Sequence, residues 1–139
     1  MITIELYKHF DLDSVLPLYD SAGWYSYTSH PDMLKRSFDG SLAVLAAADG
    51  DRLVGVIRAV GDGASILFIE DLLVAPEYRR RGIGSALLQK MVSLYPGVYQ
   101  TVPLTDDQPA LIECYRSLGF AAAPELGCTS FIKINRNPG

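Results

Sequence analysis

The stretch that most restricts this chain is ILFIEDLLV, residues 66–74. Seven of its nine side chains are apolar, so a strand formed here has to be covered on both faces. A polar connection follows, and then Ile83, Leu87, Met91 and Leu94 recur at helical spacing. A doubly covered strand that feeds a helix predicts a layered α/β sheet with helices on both faces. The 139 residues suit one such domain, expected over 1–135, with 136–139 as a frayed tail.

The flanking patterns fill in that sheet. Residues 1–7 alternate as a first strand, and Leu12, Val15, Leu16 and Tyr19 mark a helix over 11–20 with Asp11 as its N-cap. Residues 21–31 break the pattern and read as a loop; Pro31 opens a second helix running to Phe38. Strands at 41–48 and 53–60 are joined by an Asp-Gly hairpin turn. A fifth strand is expected at 97–104, and a helix at 109–118, with Asp106 and Asp107 as its caps. Two closing strands are expected at 119–124 and 128–134. The order is an antiparallel meander feeding one strand–helix–strand crossover.

Charge and composition exclude several classes. A net charge of −4 argues against a nucleic-acid-binding surface. No apolar run reaches the ~18 residues a membrane helix needs. The alternating start reads as a strand and not as a secretory leader, so Cys114 and Cys128, which form no C-x-x-C pair, are expected as reduced thiols in a cytoplasmic protein. No metal site is expected.

Gly82 and Gly84 lie between the apolar strand and the helix, with Arg79, Arg80 and Arg81 before them. A helix start offers backbone N–H groups and the positive end of the macrodipole, and glycine lets an anion come close. The local chemistry suits a pyrophosphate. A dinucleotide fingerprint would need a third glycine where Leu87 stands, and a Walker loop would need a lysine after Gly84. A plain turn rimmed by solvated arginines is the other reading.

The wider pattern decides between them. Leu72-x-Val74, Pro76-Glu77-Tyr78 and Arg79-x-x-Gly82-x-Gly84-x-x-Leu87 together resemble the acyl-coenzyme-A loop of the GNAT acetyltransferases, and CYRSLGF, 114–120, resembles their Tyr-x-x-x-Gly-Phe segment. The resemblance implies a GNAT fold, with a mixed, mostly antiparallel sheet of about seven strands splayed between the fourth and fifth. It implies acetyl-CoA as acyl donor, its pyrophosphate held by the backbone of Arg79, Arg80, Arg81, Gly82, Ile83, Gly84 and Ser85. Its pantetheine arm would lie along Leu72, Leu73 and Val74, with the oxyanion at an N–H near Leu72. Tyr115 would stand by the thioester sulphur and protonate the leaving thiolate. A homodimer through strands near the C-terminus is compatible with the family.

Two acids interrupt the apolar strand. Glu70 shares a face with Leu72 and Val74, whereas Asp71 shares the other with Ile69 and Leu73, so only one points at a given site unless a bulge intervenes. Each acid either pairs with a cation such as Arg58 or serves an amine acceptor, which must lose a proton before it attacks a thioester. Glu70 is read as base and Asp71 as binder or structural acid. Trp24, Tyr25 and Tyr27, in the loop that overlies the acceptor end of GNAT sites, are read as substrate-binding walls with cation–π capacity. GWYSYT with CYRSLGF also resembles small bacterial GNATs and plastid-type arylamine acetyltransferases. The expected activity is direct transfer of acetyl to a small-molecule primary amine. Acetylation of a protein lysine or N-terminus, and a non-catalytic coenzyme-A-binding domain, are the alternatives.

Overall fold

The structure, a computed structural model, describes residues 1–138; Gly139, the end of the expected tail, lies outside the described residues. Those residues form two compact units, 1–104 and 105–138, each taken by itself below.

The first unit is a five-stranded sheet in the order β1-β2-β3-β4-β5. Strands β1 (Ile2–Leu6), β2 (Ala43–Asp49), β3 (Arg52–Gly61) and β4 (Ile66–Val74) run antiparallel, neighbour to neighbour. β5 (Gln100–Pro103) joins β4 in parallel after the crossover helix α4 (Ile83–Leu94), which makes the sheet mixed. β5 is shorter than the expected 97–104 because the Val98 N–H turns back to Tyr95 O, leaving those residues in the turn out of α4.

Helices α1 (Leu12–Ser21) and α3 (Pro31–Asp39) supply Val15, Leu18, Tyr19, Leu34 and Phe38 to a core with Val44, Val56 and Leu73 of the sheet. Asp11 caps α1 as expected, its carboxylate accepting from Asp13 N and Ser14 Oγ. The opposite face belongs to α4. Gly55, flanked by Val54 and Val56, brings its backbone so close to that helix that a Cβ there would lie 3.2 Å from Leu87 Cδ1. The expected loop at 21–31 contains a single helical turn, α2 (Tyr25–Thr28).

The second unit holds α5 (Pro109–Ser117), ended at Gly119, whose φ of +94° a side chain would resist. Its N-cap is Gln108, without a side-chain bond, so Asp106 and Asp107 do not cap it as expected; Asp106 contributes only its carbonyl, to Gln108 N. The two closing strands are absent among the described residues. A 3-10 turn at Ala123–Leu126 takes the place of the first, because Pro124 lacks a ladder donor and Gly127, at φ +77°, turns the chain. Residues 128–134 form no ladder, leaving Phe131 94%, Ile132 62% and Ile134 79% exposed. The sheet therefore has five strands, not about seven. Alternation alone makes no strand when the unit offers no second one to pair with.

Candidate active site

The chemistry of the first unit gathers where β4 is irregular. Arg58 stands opposite Asp71 and Ala59 opposite Ile69, so Glu70 is an extra residue with no partner across the ladder. Such a bulge turns two successive side chains toward one face. Asp71 accepts from the Tyr19 hydroxyl of α1 at 2.7 Å, and Glu70 Oε1 accepts from the Tyr27 hydroxyl of α2 at 3.4 Å. Both acids therefore face the α1–α2 side, and the strict alternation that would have separated them does not hold.

Their environments differ. Asp71 is 1% exposed and its Oδ2 accepts from Arg58 Nε at 2.7 Å, as well as from Tyr19. Arg58 reaches on to Ser37 O and Ser41 Oγ at 3.4 and 3.3 Å. Asp71 is thus half of a closed ion pair, the pairing the sequence offered as its alternative to a role at the site. Glu70 is only half-buried, and the Tyr27 hydroxyl is its bond from across the fold. Burial foremost, then the charge of Asp71, pushes the Tyr19 hydroxyl far above the ordinary tyrosine range. Burial, followed by the charges of Asp71 and Glu70, does the same to Tyr27. Both hydroxyls stay protonated and act as donors.

The β4–β5 ladder ends at Ile69 opposite Pro103, with Leu104 N bonded to Ile69 O at 3.2 Å. From Glu70 to Val74, β4 has no β5 partner, so the backbone of Leu72 and the N–H of Val74 lie on an edge that β5 does not pair, while Val74 O accepts from Arg79 Nε. The Leu73 side chain, 5% exposed, belongs to the core. Trp24 and Tyr27 lie one helical turn apart, with ring centroids separated by 6.1 Å, and both pack edgewise on Tyr19 at 5.8 and 5.4 Å. Tyr25 is 65% exposed and is not part of this ring cluster.

At the glycine turn, Arg80 and Gly82 take positive φ of 63° and 78° and carry the chain into α4. A Cβ on Gly82 would meet nothing within 4 Å, so glycine is required there by conformation. No side chain caps α4, and the N–H groups of a first turn have no partner inside their helix. Ile83, 6% exposed, pins the helix start to the core, whereas Gly84 and Ser85 are half-buried behind it. The three arginines diverge. Arg79 Nε donates to Val74 O at 3.2 Å, Arg80 is exposed at its positive φ, and the Arg81 guanidinium lies 4.9 Å from the centre of the Tyr78 ring. The glycine turn and the first-turn N–H groups of α4 offer the kind of backbone chemistry that suits an anion such as a diphosphate.

In the second unit, Tyr115 is 9% exposed and its ring meets Phe120 edgewise at 5.6 Å. Burial foremost, then the neighbouring Cys114 thiol, raises its hydroxyl above the ordinary range, against a smaller lowering by a bond from Thr105. Tyr19 is the member of the acid cluster that sequence reasoning placed only on a core-facing stripe. The available signal was Asp71 itself, since a carboxylate in a buried strand calls for donors and an apolar-stripe tyrosine can supply one.

A family model described as "Acetyltransferase (GNAT) family" matches residues 5–120. The solved structure of a GNAT-family acetyltransferase protein from Streptococcus pneumoniae is 39% identical and superposes with a TM-score of 0.87, covering 99% of this chain and 100% of that one. Histone acetyltransferase TAP1 of Glycine max is 40% identical over 53% of this chain and 32% of its own length. Serotonin N-acetyltransferase 2, chloroplastic, of Oryza sativa is 29% identical over 68% of this chain and 49% of its own. The chain thus spans about a third to a half of these curated relatives.

Proposed function

Because the chain belongs to the GNAT acetyltransferase family, we propose that it moves an acetyl group from acetyl-CoA to the primary amine of a small molecule, directly and within a ternary complex. The observation that carries this reading is Glu70, a half-buried carboxylate on the part of β4 free of β5, bonded to Tyr27 of an aromatic pair. An alkylammonium bound against Glu70 must lose a proton, since its reference pKa is about 10.4. Glu70 takes that proton directly or through one water. The amine nitrogen then attacks the thioester carbonyl and the new C–N bond forms; the nitrogen sheds its second proton to water, and the C–S bond breaks to release coenzyme A as thiolate. A thiol of reference pKa about 8.5 makes a tolerable leaving group as its thiolate, which is protonated as it departs. Tyr115 is the acid that the family resemblance assigns to that proton.

The turn at Arg79–Ser85 would hold the diphosphate, and the backbone of Leu72 and Val74 the pantetheine arm. Trp24 and Tyr27 would form the acceptor wall, whereas Tyr25 is left to the rim. Asp71 serves as the structural acid beside the base. A cytoplasmic location and a homodimer through the exposed 128–134 segment complete the proposal.

Relatives named for histone and for serotonin keep protein and small-molecule acceptors both in play. The aromatic pair beside Glu70 favours the small one. Thiol release from acetyl-CoA, measured against arylalkylamines, aliphatic amines and a lysine peptide, tests the reading. Turnover with a small amine and little with the peptide is expected. The reverse order would move the assignment to protein acetylation, and coenzyme-A binding without any turnover would replace it with a non-catalytic domain.

A further inference from the structure

We propose that Tyr27 is a positioning residue for Glu70, its hydroxyl holding the carboxylate in the orientation a base needs while the buried Arg58–Asp71–Tyr19 cluster holds Tyr27. The proposal rests on the reading of Glu70 as base.

Glu70 sits on the bulge, so no cross-strand neighbour fixes its side chain as it would inside a regular ladder. The bond given to it from a distant element comes from Tyr27, 43 residues away in sequence. Tyr27 is itself restrained. Its ring packs edgewise on Tyr19 and tilts against Trp24. Tyr19 is 0% exposed and tied by its hydroxyl to Asp71, which is tied to Arg58, which reaches the end of α3 at Ser37 and the following Ser41. A chain of side chains thus runs from α3 through β3, β4, α1 and α2 to the one acid that remains half-exposed.

Tyr27 from α2 donates to Glu70, and Asp71 is its neighbour on β4; Arg58 from β3 and Tyr19 from α1 are bonded to Asp71. Arg58 and Asp71 cancel as charges, so the cluster restrains Tyr27 without presenting a net charge of its own. Tyr27 stays a neutral donor because burial and the two carboxylates all resist its ionisation. A carboxylate has about four lone-pair positions, and the Tyr27 hydroxyl takes one, leaving others for an ammonium or a water. The 3.4 Å separation is long, as bonds to reacting groups often are before a substrate tightens them.

The test uses Tyr27→Phe, Glu70→Gln and the double variant, assayed with acetyl-CoA and the best amine of the panel above, tryptamine being the first probe. Tyr27→Phe keeps the ring against Tyr19 and Trp24, and thermal unfolding checks that it folds. It is expected to lower kcat by roughly 5- to 50-fold, in line with the cost of slightly misplacing a reacting group. KM for both substrates should change less than about twofold. In the Glu70→Gln background the same substitution should have no effect, since its target is gone. Tyr27→His, which restores an aromatic N–H donor, should recover part of the loss.

A Tyr27→Phe effect confined to KM, or one that persists undiminished alongside Glu70→Gln, would overturn the positioning role and leave Glu70 as base intact. Full activity in Glu70→Gln would overturn the base and this proposal with it. So would the absence of turnover with every amine tried.

Discussion

Glu70 and Asp71 are neighbours of the same chemical type with different fates, and the difference lies in who meets them. Asp71 and Arg58 are 1% and 5% exposed, so their pair is out of water. Arg58→Met should leave a buried carboxylate unpaired and cost about 3–5 kcal/mol of stability. Replacing both, Arg58→Met with Asp71→Leu, should cost less than that single change, because neither charge is left alone. Urea unfolding of the set measures the non-additivity; equal or additive losses would deny the pair its coupling. Tyr19 adds a pH dependence whose sign follows from its shift. Its folded pKa is raised, foremost by burial, above the unfolded value of about 10. The folded protein keeps a proton that the unfolded chain gives up, so the contribution is complete below about pH 10 and fades as pH climbs beyond it. The melting temperature should fall above that pH, and fall less steeply in Tyr19→Phe.

Among the elements, the two turns that flank β4 make a contrast that separates folding from binding. Gly61, at φ +133°, closes toward β4 so tightly that a Cβ would come 2.4 Å from Ile66 O. Gly82, at φ +78°, has open space where its Cβ would be. Gly61→Ala should therefore lower the melting temperature sharply and leave coenzyme-A affinity nearly unchanged in whatever fraction is folded. Gly82→Ala should cost only the roughly 1–2 kcal/mol of a left-handed alanine. Relief of that strain would reshape the arginine turn, and calorimetry should read a coenzyme-A affinity lower by roughly tenfold. Similar affinity losses in both variants would break the distinction. β4 and α4 were legible in the sequence to the residue, because a doubly buried run and a 3.6-residue period are local properties. The bulge at Glu70 was not, since register belongs to two strands at once and nothing in ILFIEDLLV records what β3 does opposite. Trp24, Tyr27 and Glu70 were legible as residue types out of place. Tyr19 was hidden by a position that fits plain packing equally well.

At the scale of the molecule, the family model spans residues 5–120 and the five-strand frame residues 1–104, and the C-terminal stretch shows the limit of pattern reading. CTSFIKI carries the alternation of a strand, yet a strand is a relation, and its hydrogen-bonding groups need an edge to meet. Phe131, Ile132 and Ile134 are left between 62% and 94% exposed, an apolar row of the kind soluble chains bury against something. Within the proposed homodimer that something is a second copy. The full chain should then show concentration-dependent dimerisation in sedimentation velocity, and Phe131→Ser combined with Ile134→Ser should shift it toward monomer. Because the two substitutions remove apolar surface that is already in water, the melting temperature of the monomer should hardly move. A full chain that sediments as monomer at every concentration would end the dimer reading, and a double variant that dimerises as well as the parent would place the contact elsewhere.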